Sequence, residues 1–293
     1  MIIVEVTGGL GNQMFQYALY RKLQLLGKDV KLDLSFYQTK QSLRALELGI
    51  FRLPLRAAGK REICRLKGYT NDASRVEKAL TTRIYRHPYV YKEDLDKGYQ
   101  EVALQKDPVY LSGYWQNELY FKDIRGQLLN DFKFPQPVIN TNQEILHRLQ
   151  QDNSVSVHVR RGDYLDSGNV GIYGGICTLE YYRKAMDYIR NHMENPQFYI
   201  FTDDPQWVKQ NLYQEGMYIV RHTDGDPDYV DMFLMSQCTA HIIANSTFSW
   251  WGAWLDPKEN KMVISPDRWL NNHNVNNAIC DWFITIESQE VQE

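Results

Sequence analysis

The chain of 293 residues is short of cysteine, of long apolar runs and of surplus charge, and each shortage removes a class of protein. Its four cysteines, Cys64, Cys177, Cys238 and Cys280, lie far apart with no CxxC pair. That spacing suits neither a disulfide framework nor a thiolate zinc site, so they read as reduced, mostly buried thiols. No apolar run reaches the roughly 18 residues that cross a bilayer. The opening Met-Ile-Ile-Val-Glu-Val reads as a short strand and not as a signal peptide. A cytosolic protein is expected. The formal net charge is −3, which supplies no basic field, so nucleic acid is not an expected partner. The histidines are scattered without an HxxxH pair, and no repeat or low-complexity tract occurs.

A length near 300 favours two domains of ordinary size. The 20 Tyr and 7 Trp suit a surface that handles carbohydrate. One local charge feature stands out: Arg52, Arg56, Lys60, Arg61, Arg65 and Lys67, followed by Arg83, Arg86 and Lys92. The plain reading is a solvated helical face. The sharper one is a patch for peripheral contact with an anionic inner leaflet or a diphosphate-lipid acceptor.

Along the chain, residues 2–6 read as a strand and Gly8-Gly9-Leu10-Gly11 as a tight turn. A helix follows from about Asn12 to Leu26, with Met14, Tyr17, Ala18 and Leu25 on one side and Gly27 closing it. Val30 to Asp33 alternates like a second strand. Residues 40–105 are basic and helical in composition, with weak periodicity. A strand is expected from Pro108 to Tyr114, and a helix starting near Asn117. Phe132 to Asn142 carries two prolines and is the candidate linker, giving domains of 1–140 and 141–293. Beyond it strand and helix signals alternate. Strands fall at 154–161, 198–201, 217–220, 241–244 and finally 262–264, with helices between. That rhythm predicts a parallel sheet with helices on both faces.

The most informative stretch is Ser154-Val-Ser-Val-His-Val-Arg-Arg-Gly-Asp-Tyr164. Val155, Val157 and Val159 alternate with Ser156, His158 and Arg160, the period of a pleated strand. One face is thus expected to be apolar and the other to carry an imidazole beside a guanidinium. Gly162 ends the strand, which leaves Arg160, Arg161 and Asp163 at its carboxyl edge, where ligands bind in open α/β sheets. Two adjacent guanidinium forks there match a dianion. Asp203-Asp204 lies past the next strand on the same edge. Two carboxylates would repel phosphate, so they aim at ribose hydroxyls or guanine N–H groups, or cap the helix after Pro205. Asn245-Ser246-Thr247 precedes a helix, whose free amides and hydroxyls can hold an anion or simply form a cap. The glycine turn with Gly9 and Gly11 lacks a third glycine and a following Gly-Lys-Ser/Thr. It is neither a dinucleotide fingerprint nor a P-loop, yet with the amides of Asn12 and Gln13 it can approach a ligand closely. Asp224-Gly225-Asp226 has DxD spacing but sits in an acidic turn. Gly168, Gly171, Gly174 and Gly175 read as a lid or a plain loop. Trp250, Trp251 and Trp254 read as packing residues.

Several segments together resemble the bacterial α-1,2-fucosyltransferases of glycosyltransferase family 11. They are Gly8-Gly9-Leu10-Gly11-Asn12-Gln13-Met14-Phe15-Gln16-Tyr17-Ala18, Gly113-Tyr114-Trp115-Gln116, His158-Val159-Arg160-Arg161-Gly162-Asp163-Tyr164, Phe201-Thr202-Asp203-Asp204 and Asn245 through Trp254. The resemblance implies a GT-B fold, two Rossmann-like α/β domains facing a cleft. GDP-β-L-fucose would bind mainly in the C-terminal domain and the acceptor on the N-terminal side. It implies inverting transfer to O2 of a terminal galactose, with no metal and no cofactor beyond the donor substrate. By the same likeness Arg160 grips the β-phosphate and His158 and Asp203 hold the nucleoside. Ser246 and Thr247 complete the phosphate site, with Asn245, Arg161 and Asp204 around it, and Asn12 lies near the transferred sugar. Tyr114, Trp115 and Gln116 are expected on the acceptor side. Asp163 is the nearest carboxylate to the arginines, either as a base or as a partner that orients Arg161. A galactose-terminated glycan, lipid-linked or free, is the expected partner in surface polysaccharide synthesis at the inner membrane face. Two other readings stay open: a sugar- or nucleotide-binding module without catalysis, and a metal-dependent DxD transferase. Release of GDP separates the first from a transferase, and survival in EDTA separates the second.

Overall fold

The computed structural model describes all residues except 40–43, 71–72, 85–88, 152, 221–226, 273–275 and 289–293. The chain divides into two compact units, Met1–Lys133 and Phe134–Glu293. The division falls inside the stretch Phe132 to Asn142 read as the linker, part of which is helical. Pro135 precedes a helix at Gln136–Thr141 with Pro137 in its first turn, where a missing N–H costs nothing.

The first unit is a parallel sheet ordered β2-β1-β4-β3. Its strands are β1 (Ile2–Glu5), β2 (Val30–Asp33), β3 (Val90–Lys92) and β4 (Val109–Ser112). β1 runs between β2 and β4, pairing Ile3 with Lys31 and with Tyr110. Gly8 takes φ +81°, a conformation open to glycine, and turns β1 into the helix Leu10–Leu25. That helix buries Met14, Phe15, Ala18, Leu19 and Leu23, whereas Leu25, expected on the buried side, is exposed. β3 was hidden in the basic stretch 40–105, where three residues with mixed exposure leave no period to read. The helix Lys60–Lys67 seats Ile63 and Leu66 against Ile3 and Tyr110. Arg61 and Arg65 stay exposed on it, as the solvated-face reading requires. Lys67 does not. It turns inward to Glu5 at 2.6 Å and to the Tyr110 hydroxyl at 3.0 Å.

The second unit is a six-stranded parallel sheet ordered β10-β9-β8-β5-β6-β7. The strands are β5 (Ser154–Val159), β6 (Gln197–Thr202), β7 (Tyr218–Ile219), β8 (Ala240–Ile242), β9 (Met262–Pro266) and β10 (Ile284–Ile286). β10 adds a strand beyond the one expected to be last, pairing Thr285 with Ser265. The central strand β5 is buried at all six positions. Val155, Val157 and Val159 pack with Tyr181, Met186 and Ile189 of the helix Leu179–His192. The other face is buried as well. Ser156 Oγ meets His241 Nδ1 at 2.9 Å, and His241 Nε2 meets Asp256 at 3.2 Å, a closed polar chain in the core. The polar face is thus present but enclosed, because neighbours on both edges and helices on both faces cover the strand. Trp250, Trp251 and Trp254 interlock at 4.9–5.9 Å, as packing residues should. All four cysteines are free thiols. Among the described residues no helix is long and apolar enough to cross a membrane.

Candidate active site

In each sheet the strand order reverses beside the first strand of the unit. Such a switch point opens a crevice at the carboxyl edge where ligands bind. In the second unit it lies between β5 and β8. Arg160 is the first residue past β5, and the chain leaves β8 into Asn245-Ser246 and the helix Thr247–Trp254.

Arg160 is held from two sides. Asp163 Oδ1 accepts from Nη2 at 2.7 Å and from Nε at 3.1 Å. Asp203 Oδ2 lies 2.9 Å from Nη1. Burial opposes the charge, but Asp203 and Asp163 outweigh it and raise the guanidinium's pKa. Its side chain keeps 27% exposure, so an oriented cation reaches the surface. Asp203 Oδ1 also accepts from the Arg161 amide at 2.9 Å. A Cβ on Gly162 would stand 2.8 Å from Asp203 Oδ2, so only glycine admits that brace. Both Asp203 oxygens thus serve the arginine pair. Asp204 is the cap. Its Oδ1 accepts from the Trp207 amide at 2.9 Å, and its Oδ2 takes Arg161 Nε at 3.2 Å. Arg161 lies over the Trp207 ring at 4.2 Å. Asp163 orients Arg160, not Arg161.

His158 is buried beneath this cluster. Burial first, and then Arg160, push its pKa down to about 3, so the ring is neutral. Its Nδ1 has no hydrogen-bond partner among the described residues. Buried polar atoms are normally paired, so an orphan nitrogen here awaits a ligand group or a water. Ser246 caps the helix Thr247–Trp254 by accepting from the Phe248 amide at 3.3 Å, with Thr247 half-buried as its first residue. The positive end of that helix lies at the same edge as Arg160. Asn245 looks inward instead. Its Nδ2 donates to Tyr173 O and Trp269 O at 3.2 Å each, and its Oδ1 accepts from Cys177 at 3.5 Å. The glycine segment leaves Gly168, Gly171 and Gly175 exposed but is tied down at its far end. Tyr164 stacks on Tyr173 at 4.9 Å, and Asn271 bonds to Ile172 and Gly174 at 2.9 Å. Asp224 and Asp226 lie outside the described residues. Among the described residues no three His, Cys, Asp or Glu side chains converge as metal ligands.

The first unit's switch point lies between β1 and β4. Asn12 Oδ1 accepts from Gln116 Nε2 at 2.8 Å, and Gln16 donates to Gly113 O at 2.9 Å. Gln13 bonds to Gly8 O, to Ala45 O and to the amides of Glu47 and Leu48, so it ties down the segment after the 3₁₀ turn Ser35–Gln38. Neither amide caps the helix. A Cβ on Gly9 would meet nothing within 4 Å, while Gly11 is buried inside the helix. Of the expected acceptor residues, Tyr114 is exposed and Gln116 holds Asn12. Trp115 is fully buried between Tyr91 and Tyr120, at φ +57°. It is a core residue, which the glycine before it did not reveal. Sequence reasoning also missed Glu93. Its Oε2 accepts from the Tyr114 and Trp115 amides at 2.7 and 2.8 Å. It lay in the stretch without periodicity, and no spacing signal marked it.

Two parallel α/β units with their polar clusters at the strand carboxyl ends define a glycosyltransferase of GT-B type. The fold matches that of the NodZ α-1,6-fucosyltransferase co-crystallised with GDP. The TM-score is 0.52 at 12% identity, over 91% of this chain and 94% of that one. The chain belongs to glycosyltransferase family 11, whose model matches residues 81–282. It is 30% identical to the O-antigen biosynthesis glycosyltransferase WbnK of Escherichia coli, over 96% of this chain and 99% of the relative. It is 32% identical to an α-1,2-colitosyltransferase of Escherichia coli, over 94% of each.

Proposed function

We propose that this chain moves L-fucose from GDP-β-L-fucose to O2 of a terminal galactose with inversion, making an α-1,2 linkage. The observation that carries the proposal is Arg160, fixed between Asp163 and Asp203 at the edge of β5. As the fucosyl–oxygen bond breaks, the ring becomes oxocarbenium-like and negative charge grows on the β-phosphate. A guanidinium already held at that oxygen binds the transition state better than the substrate. The amides of the helix Thr247–Trp254 add to it, so no metal and no cofactor is needed. The neutral His158 offers its buried Nδ1 to the nucleoside. Asn12, held by Gln116, and the exposed Tyr114 take the sugar and acceptor side.

The setting proposed is the cytoplasmic face of the inner membrane, on a galactose-terminated acceptor, free or carried by a lipid diphosphate. The exposed Arg61 and Arg65 suit that surface, and the likeness to WbnK supports a place in surface polysaccharide assembly. A second reading has GDP-colitose as donor, favoured by the likeness to the α-1,2-colitosyltransferase. Incubating the protein with each donor and a panel of galactosides, with EDTA present, tests both. The expected result is GDP release with fucose and a product whose linkage reads α-1,2 by NMR. Release only with colitose would shift the donor. No release with either would overturn the transferase reading, and loss of activity in EDTA would overturn its metal independence.

A further inference from the structure

Positive charge is concentrated in one stretch of a chain whose formal net charge is −3. Residues 52–83 carry nine Lys or Arg against three Asp or Glu. Two consecutive helices of the first unit, Lys60–Lys67 and Arg75–Ile84, fall within it. The first buries Ile63 and Leu66 and leaves Lys60, Arg61 and Arg65 exposed. Arg61 and Arg65, one turn apart, have no carboxylate partner among the described residues. The acidic side chains on the two helices are committed. Glu62 pairs with Lys31 and accepts from the Gly59 amide at 2.8 Å. Glu77 accepts from the Ser74 amide at 2.7 Å.

The second helix differs from the first in what it shows to solvent. Ser74 and Glu77 form a reciprocal cap at its start, the Glu77 amide donating to Ser74 Oγ at 3.2 Å. Lys78 leans on the Tyr69 ring at 5.4 Å, and Lys67 of the preceding helix lies over the same ring at 5.2 Å. Tyr69 thus couples the two helices. Val76 and Leu80, four residues apart, share a face, and at 3.6 residues per turn that face is opposite Lys78. They are 68% and 58% exposed. Arg75, in the first turn, is exposed as well. Single exposed apolar residues are ordinary. An apolar pair on one face of a capped helix, coupled to a helix with solvent-facing arginines, is the pattern of a segment that lies in a bilayer interface. A second copy of the chain on this face would bring like charges together. A nucleic acid would satisfy the cations but leave Val76 and Leu80 against phosphate. An anionic headgroup layer over acyl chains satisfies both.

We propose that the helices Lys60–Lys67 and Arg75–Ile84 dock on an anionic bilayer surface. Val76 and Leu80 enter the headgroup layer, while Arg61, Arg65 and Arg75 meet lipid phosphates. The inference deepens the membrane setting proposed above and rests on it. The first unit makes the contact alone. That unit also carries Tyr114 and the Asn12–Gln116 pair, so docking holds it at the surface where a lipid-carried acceptor is presented.

The test is co-sedimentation of the intact protein with vesicles of phosphatidylglycerol and phosphatidylethanolamine, beside vesicles of phosphatidylcholine alone. The protein should pellet with the anionic vesicles, less so as salt is raised, and stay in the supernatant with phosphatidylcholine. Each cation near such a surface is worth about fivefold in affinity, so Arg61→Gln with Arg65→Gln should cost about 20–30-fold. Val76→Ser with Leu80→Ser should cost about tenfold. The melting temperature and the turnover of a water-soluble galactoside should stay as in the wild type, because these side chains are exposed and lie outside the site. No pelleting with anionic vesicles at low salt would overturn the proposal. So would equal binding to phosphatidylcholine, or full binding by the serine pair, which marks a purely electrostatic surface. An early melt of the serine pair would show a packed face and count equally against it. A wild type that sediments as a dimer, with the serine pair monomeric, would assign the face to a second copy and overturn the lipid contact. The assay uses neither donor nor acceptor. A protein that binds these vesicles but transfers no sugar would overturn the function proposed above and leave the docking surface standing.

Discussion

Replacing Arg160 by alanine removes three polar contacts at once: two to Asp163 and one to Asp203. The cost to folding should be small. The side chains of Asp163 and Asp203 are 33% and 25% exposed, so water can solvate them, and partly exposed pairs of this kind are worth about 1 kcal/mol or less. The cost to turnover should be large. Losing one donor at a developing oxyanion costs about 10²–10³ in kcat, or roughly 2.7–4 kcal/mol. Two carboxylates left facing the diphosphate should push the loss to the upper end and weaken GDP binding. The measurement is kcat at saturating donor by GDP release, beside a thermal melt and a GDP titration. Arg160→Lys separates charge from shape. A lysine keeps the cation but lacks the planar fork that spans both carboxylates, so it should fall between wild type and alanine. An alanine variant with near-normal kcat at saturating donor would refute the reasoning, because no donor concentration replaces a missing transition-state contact.

The neutral burial of His158 predicts acid sensitivity. Its folded pKa of about 3 lies below the ordinary 6.5, so the unfolded chain takes up a proton that the folded chain refuses. The stabilisation is whole above about pH 6.5 and is lost as pH falls toward 3. Between pH 7 and pH 5 the loss from this group is about 2 kcal/mol. His241, lowered by burial, acts in the same direction. Urea unfolding at both pH values should show a shallower loss for His158→Leu than for wild type, and equal losses would count against a buried neutral ring. Asn245→Ala should cost about 1–3 kcal/mol, because it strands the carbonyls of Tyr173 and Trp269. An unchanged melting temperature would show that this amide is not the brace of the segment 162–177.

Much of the second unit was legible because its strands carry strong signals. Val155, Val157 and Val159 fix β5, and turn residues such as Gly162 and Pro205 mark where strands end and helices begin. The Arg160–Arg161 pair and Asp203-Asp204 were found on the right edge for the same reason. Their division of labour was not legible. Asp204 as cap was among the readings the spacing offered, but the hold of Asp203 and Asp204 on the two arginines spans more than 40 residues of chain, which spacing does not encode. The burial of the polar face of β5 was not legible, because alternation shows which residues share a face and not whether that face is covered. Glu93 and the Ser156–His241–Asp256 chain went unseen because their partners are remote in sequence.

By itself the sequence determined a parallel α/β chain and put paired arginines at a strand's carboxyl end, since periodicity and turn chemistry are local. Only the tertiary structure decided which carboxylate steadies which arginine, that Trp115 is core, and that Glu93 holds the amides of Tyr114 and Trp115. Those outcomes depend on contacts between strands that meet only when each sheet closes around its first strand.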